Sequence, residues 1–175
     1  LQACAVALAV HARPGSVNTT EFLAALRMIT QNKPYQEKLK TVIRFLGEGS
    51  GRKEVIEQLG NGASALASVP TAIHCFLANN DFKSSLLYAV SLGGDADTIG
   101  AMTGAIAGAC YGIEGIPSQW RETVENRDYI EKLAKDLWAV KTGGRQQAPE
   151  DERQVERDEP FFEYERQVFD DEFGP

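Results

Sequence analysis

The sequence feature that most constrains the fold is a set of glycines spaced four residues apart, Gly100, Gly104 and Gly108, within an uncharged run over residues 98–113. Residues four apart lie on one face of an α-helix, and a glycine inside a helix costs about 1 kcal/mol relative to alanine. Three glycines on one face are typical of a helix that its neighbours approach closely. Because the run is shorter than the roughly 20 residues of a membrane span, we predict a central helix in a globular helical domain.

The segment just before this helix carries oxygen ligands suited to a hard metal ion. Asp95 and Asp97 are two residues apart, and the hydroxyl of Thr98 adds a third oxygen. In a non-helical segment both carboxylates can turn to the same side, and oxygen-only ligands favour Mg²⁺, Ca²⁺ or Mn²⁺. The Gly93–Gly94 pair lets the chain bend sharply, and free amides at the helix start favour a phosphate nearby. The pattern therefore predicts a metal site beside a phosphate-binding helix start.

Other roles for the two aspartates explain less of the sequence. If Asp97 only capped the helix, an interaction of about 1 kcal/mol, then Asp95 and the glycine pair would have no role. An EF-hand loop also begins with Asp-x-Asp, but it needs oxygen ligands where this chain has Ile99 and Ile106. A phosphatase of the haloacid dehalogenase type places Asp-x-Asp after an apolar strand, which the glycines interrupt here. The phosphatase stays open as an alternative.

Residues 93–112, GGDADTIGAMTGAIAGACYG, resemble the C-terminal metal motif of the ADP-ribosylglycohydrolase family. Upstream, residues 59–77, LGNGASALASVPTAIHCFL, resemble the ADP-ribosylhydrolase three branch of that family, which removes ADP-ribose from serine and trims poly(ADP-ribose). The resemblance covers residues 1 to about 140. It implies an all-α, orthogonal multi-helix domain and an enzyme that hydrolyses O-glycosidic ADP-ribosyl bonds.

The resemblance also implies which residues bind metal and substrate. Asp95, Asp97 and Thr98 would be ligands of a site for two Mg²⁺ ions, with Asp97 bridging the ions. Gly62 carries over as a contact of bound ADP-ribose, and Ala63 occupies the next contact position, where the family often has a larger aliphatic residue. The family's other metal ligands and its functional glutamate come from N-terminal motifs that this sequence lacks. We therefore expect no catalytic residue in the chain and no activity of the chain alone.

Away from these motifs the chain reads as successive helices with no convincing alternating strand, so the predicted fold class is all-α. Asn18 and Asp81 precede helical segments as N-caps. The turn over residues 60–62 is by itself typical of a helix C-cap followed by a turn. Pro70 is predicted at the first position of a helix over residues 71–79. Five apolar side chains mark the face of a last helix: Tyr129, Ile130, Leu133, Leu137 and Trp138.

The histidines and cysteines do not predict a metal or redox site. His11 and His74 have no partner at chelating spacing and lie in apolar helical segments, so we expect packing roles for both. Cys4, Cys75 and Cys110 are odd in number and lack Cys-x-x-Cys spacing, which argues against a disulfide framework and a zinc ribbon. A reducing compartment is therefore expected.

Charge separates a domain from a tail. Residues 1–144 hold 14 acidic and 14 basic residues, whereas residues 145–175 hold 11 acidic and 4 basic residues and so carry the entire net charge of −7. We predict that residues 1–144 are the C-terminal part of an ADP-ribosylglycohydrolase-like domain in a longer protein, and that residues 145–175 are a disordered acidic tail. An acidic segment that docks on a partner through its aromatic residues is the alternative for the tail.

Two functions from different classes follow. The first is a Mg²⁺-dependent ADP-ribosyl hydrolase with an ADP-ribosylated protein or poly(ADP-ribose) as its substrate. By resemblance it would be intracellular, in the nucleus, cytoplasm or mitochondrial matrix, and a monomer when complete, without direct DNA binding or membrane association. The second is a non-catalytic helical interaction module that retains a degenerate metal loop.

Overall fold

The computed structural model of the chain describes residues 1–143. These residues form helices and no strand, which confirms the predicted all-α class. Residues Leu1–Glu125 make one compact unit, and the described part of the second unit, Asn126–Pro175, is a single helix. The helices are α1 (Gln2–Val10), α2 (Thr19–Ile29), α3 (Lys33–Glu48), α4 (Arg52–Gln58), α5 (Ala65–Leu77), α6 (Phe82–Ser91), α7 (Ala96–Gly115), α8 (Ser118–Thr123) and α9 (Arg127–Lys141).

The predicted domain boundary at residue 144 and the predicted tail both fall at or beyond the end of the described residues, so they stay predictions. Within residues 1–143, no helix combines the length and the apolarity that crossing a bilayer requires.

The glycine-rich helix α7 is the centre of the first unit, because α1, α5 and α6 all contact it. Its small-residue face packs on α6: a Cβ atom at Gly100, Gly104 or Gly108 would lie 3.2 to 3.9 Å from a side chain of that helix. The predicted central helix with a closely approached face is confirmed. Its first residue is Ala96, two residues before the predicted start at Thr98.

The predicted N-caps are confirmed by their hydrogen bonds. The Asn18 side chain accepts from the N–H of Glu21 at 3.2 Å, and the Asp81 carboxylate accepts from the N–H and the hydroxyl of Ser84, both at 2.7 Å. The hydrogen bond from the Ser84 N–H is the main cause that lowers the pKa of Asp81. These side chains begin α2 and α6 where the sequence places the helix starts.

The predicted position of Pro70 is wrong. Helix α5 begins at Ala65, so Pro70 lies inside the helix, where proline removes the hydrogen bond to the carbonyl four residues earlier and costs about 3 kcal/mol. Every residue from 68 to 77 is buried, because α3, α6 and α7 all contact α5. Burial of apolar side chains on all sides of this helix offsets the cost of the proline.

The predicted last helix is observed as α9, but its apolar residues are not buried. Tyr129, Ile130, Leu133, Leu137 and Trp138 are 49% to 73% exposed. The helix is therefore amphipathic, as its spacing predicts, and none of its residues is buried.

The two histidines occupy different environments. His74, on α5, is buried with 2% of its surface exposed. Its ring packs edge-on against the rings of Phe45 and Tyr88, with ring centroids 5.8 and 6.0 Å apart. Its Nδ1 atom has no hydrogen-bond partner, and burial lowers the pKa of the imidazole from 6.5 to about 4. His11 is exposed at the end of α1. All three cysteines are free, in line with the predicted lack of a disulfide framework.

Gly104→Leu should destabilise the chain by about 1 to 3 kcal/mol, because the added carbons would displace the side chain of Leu86. A Cβ atom on Gly104 would already lie 3.6 Å from the Cδ1 atom of Leu86. Gly108→Ala, with its nearest neighbour at 3.9 Å, should instead stabilise the helix by up to about 1 kcal/mol. Thermal unfolding followed by circular dichroism measures both changes. An unchanged melting temperature for Gly104→Leu would mean that the face is not packed.

His74→Phe should make the chain less sensitive to acid. The unfolded chain protonates His74 near pH 6.5, whereas the folded chain does so only near pH 4, so stability falls as pH drops through that window. The pKa difference corresponds to about 3 kcal/mol. Melting temperatures of parent and variant between pH 7 and 4 should diverge in favour of the variant. The exposed His11→Gln variant is the control; parallel curves for His74→Phe and the parent would contradict the prediction.

Candidate functional site

The structure brings the two predicted site segments together. The backbone N–H of Asp95 donates to the carbonyl oxygen of Asn61 at 2.8 Å, and the Asn61 side-chain amide donates to the carbonyl oxygen of Leu92 at 3.0 Å. Gly62 and Ala63 directly follow Asn61 and are exposed. The residues predicted to contact ADP-ribose thus lie next to the segment predicted to bind metal, although about thirty positions separate the two in the sequence.

The turn over residues 60–62 is fixed by the helix that follows it. Gly60 has φ +98°, and a Cβ atom on it would lie 2.8 Å from the Cβ of Ala67, so both the backbone conformation and the space require glycine. The hydroxyl of the buried Thr71 donates to the carbonyl oxygen of Gly60 at 2.7 Å. At the end of α4, the Lys38 ammonium donates to the carbonyl oxygens of Gln58 and Leu59. The turn is therefore anchored on α3 and α5.

The loop between α6 and α7 is shaped by two glycines with left-handed backbone. Gly93 and Gly94 both have φ +65°, as the predicted sharp bend requires. Around Gly93 the space is open, whereas a Cβ atom on Gly94 would collide with the carbonyl oxygen of Asn61 and lie 2.7 Å from its side-chain amide carbon. The second glycine therefore allows the loop to approach the turn.

The two carboxylates at the start of α7 differ in their surroundings. Asp95 occupies the N-cap position, but its side chain makes no capping hydrogen bond, and its Oδ2 atom is buried without a partner. Asp97 lies in the first turn and is exposed. A hydrogen bond from the backbone N–H of Thr98 and then the neighbouring Asp95 side chain lower the pKa of Asp97, which is ionised at neutral pH. Asp97 therefore does not hold the N-cap position that a simple capping role would give it.

The amides at the start of α7 are less free than the sequence suggests. The N–H of Asp95 is bonded to the Asn61 carbonyl and the N–H of Thr98 to the Asp97 carboxylate, whereas the N–H of Ile99 makes the ordinary helical hydrogen bond to the Asp95 carbonyl. An anion at this helix start would compete with these internal acceptors. The predicted role of these amides in phosphate binding stays a prediction.

These residues fit part of a site for a hard divalent cation. A buried carboxylate oxygen without a partner, in Asp95, lies next to an ionised carboxylate, in Asp97, and the half-buried Thr98 adds a neutral oxygen. A cation bound by the two carboxylates would satisfy the unpartnered oxygen. Residues 1–143 contain no group of three or more His, Cys, Asp or Glu side chains that could hold a metal ion. The described chain therefore offers two acidic ligands at this position.

Sequence reasoning missed Asn61, because a Gly-Asn-Gly turn is already explained by its backbone conformation. The only signal was an amide side chain in a turn that carries a predicted substrate contact, and nothing in the local pattern pointed to a partner in the 92–95 loop.

Comparison with known proteins decides the family. Residues 1–147 match the family model for ADP-ribosylglycohydrolase. The chain belongs to the ADP-ribosylglycohydrolase family. Both predicted site segments lie within the matched residues.

Two of the three relatives described next are named as ADP-ribosyl hydrolases. The chain is similar to ADP-ribosylhydrolase ARH3 of Homo sapiens, with 41% identity over 130 residues, 67% of this chain and 36% of the relative. It is similar to an uncharacterized protein of Archaeoglobus fulgidus, with 38% identity over 79% of this chain and 45% of the relative. It is also similar to ADP-ribosylarginine hydrolase Tri1 of Pseudomonas putida, with 29% identity over 73% of this chain and 37% of the relative. The chain thus spans little more than a third of the length of the ARH3 relative.

Proposed function

We propose that the chain is part of a Mg²⁺-dependent hydrolase that cleaves O-glycosidic ADP-ribosyl bonds, with ADP-ribosylserine on proteins or poly(ADP-ribose) as substrate. The observation that most supports this function is the hydrogen bond between Asp95 and Asn61, which joins the candidate cation ligands to the turn with the candidate ADP-ribose contacts. The similarity to a protein named ADP-ribosylhydrolase ARH3 supports the reaction class. The likeness of residues 59–77 to the same branch favours serine-linked ADP-ribose over the arginine linkage in the name of the Tri1 relative.

Asp95, Asp97 and Thr98 would hold the metal in this proposal. When bound there, Mg²⁺ would polarise ligand oxygens and help to orient water for attack at the anomeric carbon. The Oδ2 atom of Asp95 is buried without a hydrogen-bond partner, and Asp97 is exposed and ionised, so both carboxylates would be available to a cation. Two octahedral ions need more oxygens than these three side chains offer, so the remaining ligands and the functional glutamate belong to other parts of the complete protein.

Gly62 and Ala63 would contact the ADP-ribosyl group. Both are exposed, and a Cβ atom on Gly62 would meet no atom within 4 Å, so a ligand can reach the backbone there. Because the Gly60 end of the turn is fixed on Thr71 and Ala67, the surface is held in place before the ligand binds. The small side chain of Ala63 leaves more room than a larger aliphatic residue would.

We further propose the setting of the complete protein. Its partners would be ADP-ribosylated proteins or poly(ADP-ribose), it would be a monomer without direct DNA or membrane contact, and it would work in the nucleus, cytoplasm or mitochondrial matrix. The three free cysteines agree with a reducing compartment.

The second candidate function is a non-catalytic helical interaction module. The observation in its favour is that residues 1–143 hold no cluster of three or more acidic, histidine or cysteine ligands. The two candidates differ in whether the Asp95 and Asp97 carboxylates are needed for ADP-ribose release.

Asp97→Asn in the complete protein should abolish Mg²⁺-dependent release of ADP-ribose from a serine-ADP-ribosylated peptide, because the amide keeps the size but removes the charge that a bridging ligand supplies. Thr98→Ala, which loses one neutral oxygen, should reduce the rate less and shift the Mg²⁺ requirement upward. The 175-residue chain alone should bind Mg²⁺ weakly and release no ADP-ribose.

The two roles of Asp97 make opposite predictions for this variant. If Asp97 only stabilised the first turn of α7 through its charge, the asparagine variant would lose a little stability and keep normal activity. A normal melting temperature with lost activity supports the metal role. Release at the parental rate across the Mg²⁺ titration would rule out the bridging ligand and favour the interaction module.

A further inference from the structure

Asn61 makes two hydrogen bonds to the loop that leads into the candidate cation ligands. Its backbone carbonyl accepts from the N–H of Asp95 at 2.8 Å, and its side-chain amide donates to the carbonyl of Leu92 at 3.0 Å. These two partners flank Gly93 and Gly94, so the amide and the carbonyl of one residue clamp both ends of the bend. A movement of the Asp95 backbone therefore has to move Asn61 or break a hydrogen bond.

Steric contact reinforces the clamp at one position only. Gly94 lies so close to Asn61 that a Cβ atom would collide with its carbonyl oxygen, whereas a Cβ atom on Gly93 would meet nothing within 4 Å. The two glycines have the same φ of +65°. Both glycines therefore have the same backbone conformation, but only Gly94 lies against Asn61, where the loop contacts the turn.

Cation binding would act on this clamp directly. The Oδ2 atom of Asp95 is the buried oxygen without a partner, so a bound cation changes the position or the orientation of the residue whose N–H is held by Asn61. On the other side, Gly62 and Ala63 follow Asn61 in the chain and are exposed. Asn61 thus links the candidate cation ligands to the candidate ADP-ribose contacts, because it is hydrogen-bonded to Asp95 and directly followed by Gly62.

We infer that Asn61 is a positioning residue that couples cation binding at Asp95 and Asp97 to the conformation of the turn that contacts the ADP-ribosyl group. The inference rests on the proposed function. Coupling of this kind is reciprocal, so a ligand on the turn raises the affinity for the cation by the same factor by which the cation raises the affinity for the ligand. Couplings between protein sites are commonly about 5- to 150-fold.

The test is a Mg²⁺ titration of the full chain followed by amide chemical shifts in nuclear magnetic resonance. In the parent, Mg²⁺ should shift the amides of loop residues 95–98 and also those of Asn61, Gly62 and Ala63. In Gly94→Ala the loop amides should still shift, while the shifts at the turn should be lost. In Gly93→Ala, which carries the same backbone strain without the collision, both sets should shift as in the parent.

A second variant guards against misfolding of Gly94→Ala. Asn61→Asp keeps the size and the backbone carbonyl but cannot donate to Leu92, and it should also reduce the response of the turn relative to that of the loop. The inference would be overturned if Mg²⁺ did not shift the amides of the turn in the parent, or if it shifted them fully in both Gly94→Ala and Asn61→Asp. Either result would leave the proposed cation site intact. If the loop amides of the parent themselves do not respond to Mg²⁺, the cation site of the proposed function fails and the inference fails with it.

Discussion

The candidate site depends on the hydrogen bond from the Asp95 N–H to the Asn61 carbonyl. This contact joins the segment between α4 and α5 to the segment between α6 and α7. It is possible because Gly94 has no side chain at the point of closest approach. Together with the hydrogen bond from the Asn61 side-chain amide to the Leu92 carbonyl, this contact holds the candidate cation ligands next to the turn.

The helices behind the contact supply its rigidity. Helix α7 presents its small-residue face to α6, and α5 is buried along most of its length, so the two loops stand on closely packed elements. Thr71, from the buried helix, reaches the turn directly. A site held by supporting helices keeps its ligands in place before metal or substrate arrives, which reduces the ordering cost of binding.

Local signals in the sequence predicted much of this fold, and long-range packing decided the rest. The glycine spacing predicted α7 and its close packing, and the caps at Asn18 and Asp81 predicted two helix starts, because these effects act within a few residues. The position of Pro70 could not be predicted, since burial of most of α5 outweighs the local preference of proline. The clamp by Asn61 was also missed, because periodicity carries no information about which distant loops meet.

The central claim is that Asp95 and Asp97, in the loop held by the turn, bind a divalent cation. Anomalous diffraction from crystals of the chain soaked in Mn²⁺, a hard ion that accepts the same oxygen ligands as Mg²⁺, tests it most directly. We expect a peak at bonding distance from the Oδ2 atom of Asp95 and from the Asp97 carboxylate, with the Asp95 to Asn61 hydrogen bond intact. Mn²⁺ bound only at other carboxylates, with the Asp95 oxygen still unpartnered, would contradict the claim.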